Sequence, residues 1–530
     1  MNKDNKQSNN CTVPSVHPWQ IKPQPITNIE REETYDIVVV GAGFAGCVAA
    51  HSAAEAGAKV ICVEKAAEVV GHGIDVGAIG TKLQKEAGIE LDKDLIARLI
   101  YQWGQSQANY RLIRTFVDKS GEVFDYYYDL ARAKGLKVSL NSQNTARSDW
   151  DELEDRFKQF RTAHKFTDDE RHYRADGKFI NTDFVEMVKE AAEAHGAVFA
   201  FQTKAEQLVR EDGCGDNGRG RVTAVIVSDS KGYKRLNAKK GVILATGDIG
   251  GNREMLECWS PICLRADKSV YTRKGYNSGD GIILGMWVGA ARSRCYPAPI
   301  IHAVNFLPLA AGMDTSWLTV NREGKRFCCE VAWEPLVTNA RMNAPGNKAF
   351  AIFDSRYPEH AKKQEPSKFA SVSESELRAK VEKAVQSGHI FKGQTLEELA
   401  EVIKVPAENL KKTVAQYNKY CDAGYDPEFG VPSRFLSSVK EGPFYASAIT
   451  SVLLAVPYGL HVDENSQVCD EDDNPIPGLF AIGNVQGDFL ANSYTVTVPG
   501  LNHGRCLTFG RLVGQALAHG MTINEYYKLY

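Results

Sequence analysis

No CxxC pair, no CxxCH segment and no apolar run long enough to span a bilayer occurs anywhere in the chain. Twelve cysteines are instead scattered over 530 residues. A haem-attachment site is thereby excluded, and free thiols in a reducing compartment are expected. Cys258 and Cys263, in "ECWSPIC", come nearest to an iron-sulfur pair but lack the further cysteine, after two intervening residues, that completes such a run; no metal ligand is assigned. Blocks of basic charge are also missing. Lys and Arg number 63 against 66 Asp and Glu, for a net charge of -3, so nucleic acid is not an expected partner and a small neutral or weakly charged ligand is. The first 34 residues, rich in polar residues and proline, lack an apolar signal core and a twin arginine. They predict a flexible leader on a cytoplasmic protein with no membrane association.

What is present begins at Tyr35. "YDIVVVGAGFAGCVAAHSAAEAGAKVICVEK" reads as a strand, a glycine turn, an Ala-rich helix and a second strand ending at Glu64. Gly41, Gly43 and Gly46 form GxGxxG: the first makes the tight turn, the second lets a pyrophosphate approach the backbone, and the third lets helix and strand pack closely. The phosphates then meet a helix N-terminus, whose free N–H groups and dipole favour an anion. Glu64 is placed for the ribose hydroxyls. The glycine-interrupted stretch after it, "KAAEVVGHGIDVGAIG", with Gly71 and Gly73, stands where most NAD-binding domains continue into a helix, so FAD is preferred over NAD.

Two distant stretches complete the expected cofactor site. "KKGVILATGDIGGN" is a buried strand running into a small-residue turn with Thr246 and Gly247. "NPIPGLFAIGNVQGD" repeats the pattern, with Asn484 after Gly483 suited to the ribityl chain. The last helix, near "PGLNHGRCLTFGRLVGQAL", points its N-terminus at the flavin pyrimidine, where negative charge collects on reduction.

With "VVVGAGFAG", "ILATGDIGGN", "SGDGIILGMWVGA", "VNREGKRF", "ENLKKTVAQYNKY", "GLHVDENSQV", "NPIPGLFAIGNVQGD" and "TFGRLVG" in order, the chain resembles the fumarate reductase and succinate dehydrogenase flavoprotein superfamily, including soluble fumarate reductases and 3-ketosteroid dehydrogenases. The resemblance implies an α/β fold: a Rossmann-type FAD-binding domain, residues 35–297 and 446–530, interrupted by a mobile α+β capping domain at 298–445. Ala45, Lys65, Ala205, Asp280, Gly500, Asn502 and His503 complete the implied cofactor contacts. FAD is expected to be noncovalent, because His72 in "GHGID" is out of register by about one residue with the flavin-linking position.

The resemblance also assigns the cap arginine of "GKRF", Arg326, to the flavin as charge stabiliser and proton donor, with Glu330 orienting it and His302 as a substrate contact. Arg322 and Lys325 are read as solvent-facing, and the neighbouring cysteines as core. Asp314 is the only acid before Arg322 available to a proton relay. Neither carboxylate clamp of the fumarate reductases is kept: Thr497 and Ala455 stand in place of an arginine and a histidine. "SYTVTVPGLNHG" is similar to the ketone-binding segment of the 3-ketosteroid dehydrogenases, with Gly500 matching, the tyrosine position on Val496 and the cap tyrosine on Glu334. Tyr494, Gly500, Tyr458 and Tyr127 are the expected substrate contacts.

The implied activity is FAD-dependent reduction of an activated C=C, or an equivalent electrophilic carbon, in a hydrophobic cyclic or aromatic ketone or acid. A ring-ketone dehydrogenase running in the oxidative direction and a non-catalytic, electron-carrying flavin subunit are the alternatives. Electrons are expected from NAD(P)H or a redox partner protein.

Overall fold

β-Branched side chains suit a strand covered on both faces, and Ile37, Val38 and Val39 in β1 (Arg31–Val40) are wholly out of solvent. The computed structural model describes residues 16–529 apart from 70, 142–157, 168–172, 212–219, 272–273, 305–314, 332–333, 370–371 and 496. β1 pairs in parallel with β2 (Val60–Val63) and with Gly232–Leu244, and the parallel set is extended by Val198–Ala200 and Pro475–Ala481. The hairpin of Lys204–Arg210 and Val222–Asp229 joins it through Gly232–Leu244, and Gln467–Cys469 forms an antiparallel edge.

Register decides where a ligand can sit. Val40 stands opposite both Val63 and Leu244, and Leu244 opposite Ala481, so four parallel strands end in one line. The turns that follow them, at 41–43, 64–66, 245–247 and 482–484, therefore open into one crevice, where open α/β sheets bind ligands. Beneath the sheet, α1 (Phe44–Glu55) is lined by alanines and packs on the last helix, Leu501–Ala518. A Cβ at Gly514 would stand 2.6 Å from the Ala49 carbonyl oxygen, and one at Gly510 2.8 Å from Val48. Small residues let these two helices touch almost backbone to backbone.

Residues 318–448 build an antiparallel sheet in the order Leu318–Asn321, Ala349–Phe353, Phe444–Ala448, Ile390–Gly393. Its period-two alternation feeds two cores. Phe350 and Ile352 pack with Leu399, Leu410 and Tyr417, while Ala351 and Phe353 pack with Trp317, Tyr357 and Tyr445 on the other face. Ile300–Val304 pairs with Thr450–Ala455, and Lys268–Ser269 joins them, in a small separate sheet. Arg341, on the helix Glu334–Asn343, bonds Asp267 at 2.9 Å across this joint.

The leader is not loose throughout. Trp19 is buried against Trp259, with ring centroids 5.0 Å apart, and the Gln207 amide clasps Gln24 O at 2.7 Å and Ile26 N at 3.0 Å. One large indole buries enough apolar surface to pin a polar segment. Among the described residues no helix is long and apolar enough to cross a membrane.

Candidate active site

The three glycines of the first turn have different surroundings. Gly41, at φ +103°, leaves 2.5 Å between a would-be Cβ and the Ala245 oxygen, and Gly46 leaves 1.8 Å to the Gly41 oxygen. At Gly43 nothing lies within 4 Å. Protein closes over the first and third, and the open second one caps α1, whose first-turn N–H groups face the gap. Space and donors thus fit a pyrophosphate. Glu64 accepts from Ala42 N at 2.9 Å and from Ala66 N at 2.7 Å, which fixes its carboxylate and leaves a lone pair on each oxygen for ribose hydroxyls.

The other expected cofactor residues border the same crevice. Lys65 is bound to Asp280 at 2.6 Å and to Gly275 O at 2.6 Å, so these two side chains hold a loop over the site. Thr246 accepts from Gly281 N at 3.2 Å, Gly247 takes φ +80°, and Gly483, at φ +68°, backs onto Ala45. Gly71 donates to Thr182 Oγ1 at 3.2 Å, and Gly73 lies against the His503 ring. Ala205 is paired with Val227 within its hairpin.

At the far end, the short strand Val76–Gly77 meets the last helix backbone to backbone: Gly77 N donates to Gly500 O at 2.8 Å, and Gly500, at φ +79°, caps the helix. His503 Nδ1 donates to Asp75 O at 2.9 Å, and burial pushes this imidazole down to about 4, so it is neutral. Tyr494 Oη accepts from Asn502 N at 3.0 Å, in the first turn of the helix, and burial pushes its phenol well above the usual range. Asn484 donates through Nδ2 to Asp248 at 2.9 Å and accepts through Oδ1 from Arg505 at 2.9 Å. Asp248 lies within "ILATGDIGGN" and Arg505 within "PGLNHGRCLTFGRLVGQAL", but neither segment assigns these side chains a role; the clue to Arg505 is that it follows Asn502 by three positions, one helical turn.

Several expectations are corrected. Arg326 is enclosed within the cap: Nε and Nη2 each bond Glu330 at 2.7 Å, Nη1 and Nη2 bond Asp426 at 3.0 and 2.7 Å, and the rings of Tyr417 and Phe429 cover it at 5.1 and 4.8 Å. Its side chain is 2% exposed. Burial disfavours the cation, but the bonds to Glu330 and Asp426 outweigh it and raise the guanidinium above its ordinary value. Arg326 therefore holds its protons and serves as a structural clamp, with Glu330 as part of it. Arg322 and Lys325 are exposed and Cys328 is buried, as read from the sequence, while Cys329 is only half-buried.

Tyr127 is not a substrate contact: it lies in the core on the helix Tyr110–Ala133, with its hydroxyl between His51 Nδ1 at 3.0 Å and Ser52 Oγ at 3.1 Å. Tyr458 is also committed, its hydroxyl accepting from Arg292 at 2.9 Å and donating to Ser293 O at 3.3 Å. His302 stands opposite Val452 in the small joining sheet. Thr497 is buried with its hydroxyl 2.8 Å from that of Thr495, and Ala455 is buried at a strand end, so both positions are uncharged in place. Asp314 and Val496 lie outside the described residues, and Glu334 opens the helix Glu334–Asn343.

Residues 36–494 match a protein family described as FAD binding domain. A probable fumarate reductase of Shewanella frigidimarina is 24% identical over 540 residues, covering 95% of this chain and 81% of its own length. The vinyl phenol reductase of Lactiplantibacillus plantarum is 25% identical over 517 residues, covering 92% and 97%. Among solved structures, the 3-ketosteroid-delta4-(5alpha)-dehydrogenase of Rhodococcus jostii superposes with a TM-score of 0.71 at 22% identity, over 93% of this chain and 98% of that one, a likeness of fold.

Proposed function

Because the chain belongs to the FAD-binding-domain family, we propose that it is an oxidoreductase acting on CH–CH groups, which reduces an activated C=C in a hydrophobic cyclic or aromatic ketone or acid. Bound noncovalently, FAD would supply the electron pair as hydride. Gly43 and the start of α1 hold its pyrophosphate, Glu64 its adenosine ribose and Asn484 its ribityl chain. Tyr494 carries the reading: its oxygen accepts the Asn502 amide, which leaves its own proton for a substrate oxygen or carbanion.

Burial keeps this phenol protonated, as a proton donor in the reductive direction requires. Arg326, now a clamp inside the cap, says nothing against a non-catalytic flavin subunit; the poised phenol does. Uncharged Thr497 and Ala455 support a substrate without two carboxylates, since desolvating unpaired carboxylates costs several kcal/mol. The reductase names of two relatives support C=C reduction in general, and the vinyl phenol reductase alone supports an aromatic substrate. NAD(P)H or a redox partner protein delivers the electrons, and a reducing cytoplasm suits the ten free cysteines among the described residues.

Anaerobic reoxidation of the reduced holoenzyme by a panel of enones, phenolic acrylates and ring ketones tests the substrate class. A true acceptor restores the oxidised spectrum rapidly, and fumarate does so slowly. In Tyr494→Phe, reoxidation should slow by about 10²- to 10⁴-fold with reduction by the donor unchanged. Reoxidation at full speed in that variant would remove Tyr494 from the chemistry.

A further inference from the structure

Arg505 is 1% exposed, as deeply buried as any cation in the described residues, and the bonds its guanidinium makes all go to neutral oxygens. Nε reaches Asn502 Oδ1 at 3.1 Å, Nη2 reaches Asn484 Oδ1 at 2.9 Å, and Nη1 makes a long contact of 3.4 Å with Gln486 O. The Phe489 ring covers another side at 5.5 Å. Burial pushes the guanidinium below its ordinary value. Two other buried arginines are matched with acids: Arg326 with Glu330 and Asp426, and Arg341 with Asp267.

The carboxylate nearest to Arg505 through bonded groups is Asp248, one amide away. It is already used by four donors: Gly250 N at 3.0 Å, Tyr271 Oη at 2.8 Å, Asn484 Nδ2 at 2.9 Å and Val456 N at 3.2 Å. Asn484 is thus pinned between an acid on its nitrogen and a cation on its oxygen. A buried charge without a counter-ion costs several kcal/mol unless an anion arrives beside it. Both side chains bonded to Arg505, Asn484 and Asn502, border the crevice at its flavin end.

We infer that Arg505 is the electrostatic partner of the isoalloxazine, stabilising the negative charge that the ring takes up on reduction and so raising its reduction potential, with Asp248 opposing it through Asn484. The inference depends on FAD binding alone and not on the substrate class proposed above, so it is tested without substrate. A second anion within reach of this crevice, the FAD pyrophosphate, is charged in both oxidation states. Pairing with it would strengthen FAD binding without moving the potential.

The two-electron potential of bound FAD, and the affinity of sulfite for the oxidised holoenzyme, are measured in Arg505→Gln, Arg505→Lys and Asp248→Asn. Sulfite adds to N5 and places a negative charge on the same ring. Arg505→Gln should weaken the reduced form relative to the oxidised one by on the order of 10²-fold, the size of shift an adjacent opposite charge imposes on an ionisation. That is about 60 mV downward, at 30 mV per tenfold, with sulfite weakened in parallel. Arg505→Lys, which keeps the charge, should recover most of both, and Asp248→Asn should move both the opposite way. An unchanged potential in Arg505→Gln, with or without a loss of FAD affinity, overturns the inference. If Arg505→Gln does not retain FAD, Asp248→Asn decides, and an unchanged potential there overturns it equally.

Discussion

The cap and the FAD-binding region each bury an arginine, and the two live in opposite electrical surroundings. Arg326 is gripped by Glu330 and Asp426 and roofed by two aromatic rings, so its charge is cancelled where it stands. Arg505 is held by two asparagine side-chain oxygens and a backbone carbonyl, so its charge is oriented but left uncancelled. An arginine whose donors point at its own acids has little left for a ligand and acts as structure. A buried ion held only by dipoles keeps its field, and the site beside it feels that field.

Removing one member of the matched cluster gives the largest effect outside the chemistry itself. Arg326→Ala leaves two buried carboxylates without their cation, held only by backbone N–H groups, and should cost about 3–5 kcal/mol, read as a lower midpoint for the cap in thermal unfolding, while the potential of bound FAD stays put. The triple variant Arg326→Met, Glu330→Gln, Asp426→Asn should recover much of that loss, because it removes the charges together. A fall in flavin potential in Arg326→Ala would erase the contrast between the two arginines.

Neutral buried histidines extend the comparison to protons. His51, with Nδ1 3.0 Å from the Tyr127 hydroxyl, and His164, between Thr162 O at 2.8 Å and Thr81 Oγ1 at 2.9 Å, are both pushed down by burial to about 4. Unfolded histidine titrates near 6.5, so their contribution is complete above that pH. As pH falls from about 6.5 to 4 the unfolded chain binds protons first, and stability is lost, by up to about 3 kcal/mol for each group at 1.36 kcal/mol per pH unit. Denaturant unfolding at pH 7 and pH 5 reads this directly; equal midpoints would mean that neither imidazole is kept neutral by the fold.

The smallest effects separate closed space from open space. Gly46→Ala drives a Cβ against the Gly41 carbonyl and should destabilise the fold by about 1–3 kcal/mol. Gly43→Ala meets no protein atom within 4 Å and has an ordinary φ of -79°, so the fold should tolerate it while FAD binds more weakly. FAD retention on desalting and the melting temperature of the apoprotein distinguish the two. Equal loss of both properties in both variants would show that Gly43 is packed by protein, like Gly46.

Much of the cofactor cradle was legible because its instructions are local. A GxGxxG turn needs its glycines within six residues, and the strand on either side announces itself by β-branched composition. The uncharged character of Thr497 and Ala455 could likewise be read position by position. The three tyrosines at 126–128 were less tractable: a helix turns about 100° per residue, so they cannot share a face, and only packing shows that Tyr127 faces the core. For Arg326, a carboxylate four residues on was visible, but the second lies 100 residues away.

By itself, then, the sequence determined the dinucleotide turn and the β-branched strands that feed it, since each depends on residues close together in the chain. Only the tertiary structure decided which buried charge belongs to the architecture and which faces the cofactor. Asp426 comes to Arg326 from 100 positions away, Asn484 to Arg505 from 21, and Asp248 to Asn484 from 236. A charge's role is set by what surrounds it in three dimensions, because Coulomb interactions in a dry interior depend on distance and shielding, and separation along the chain does not enter.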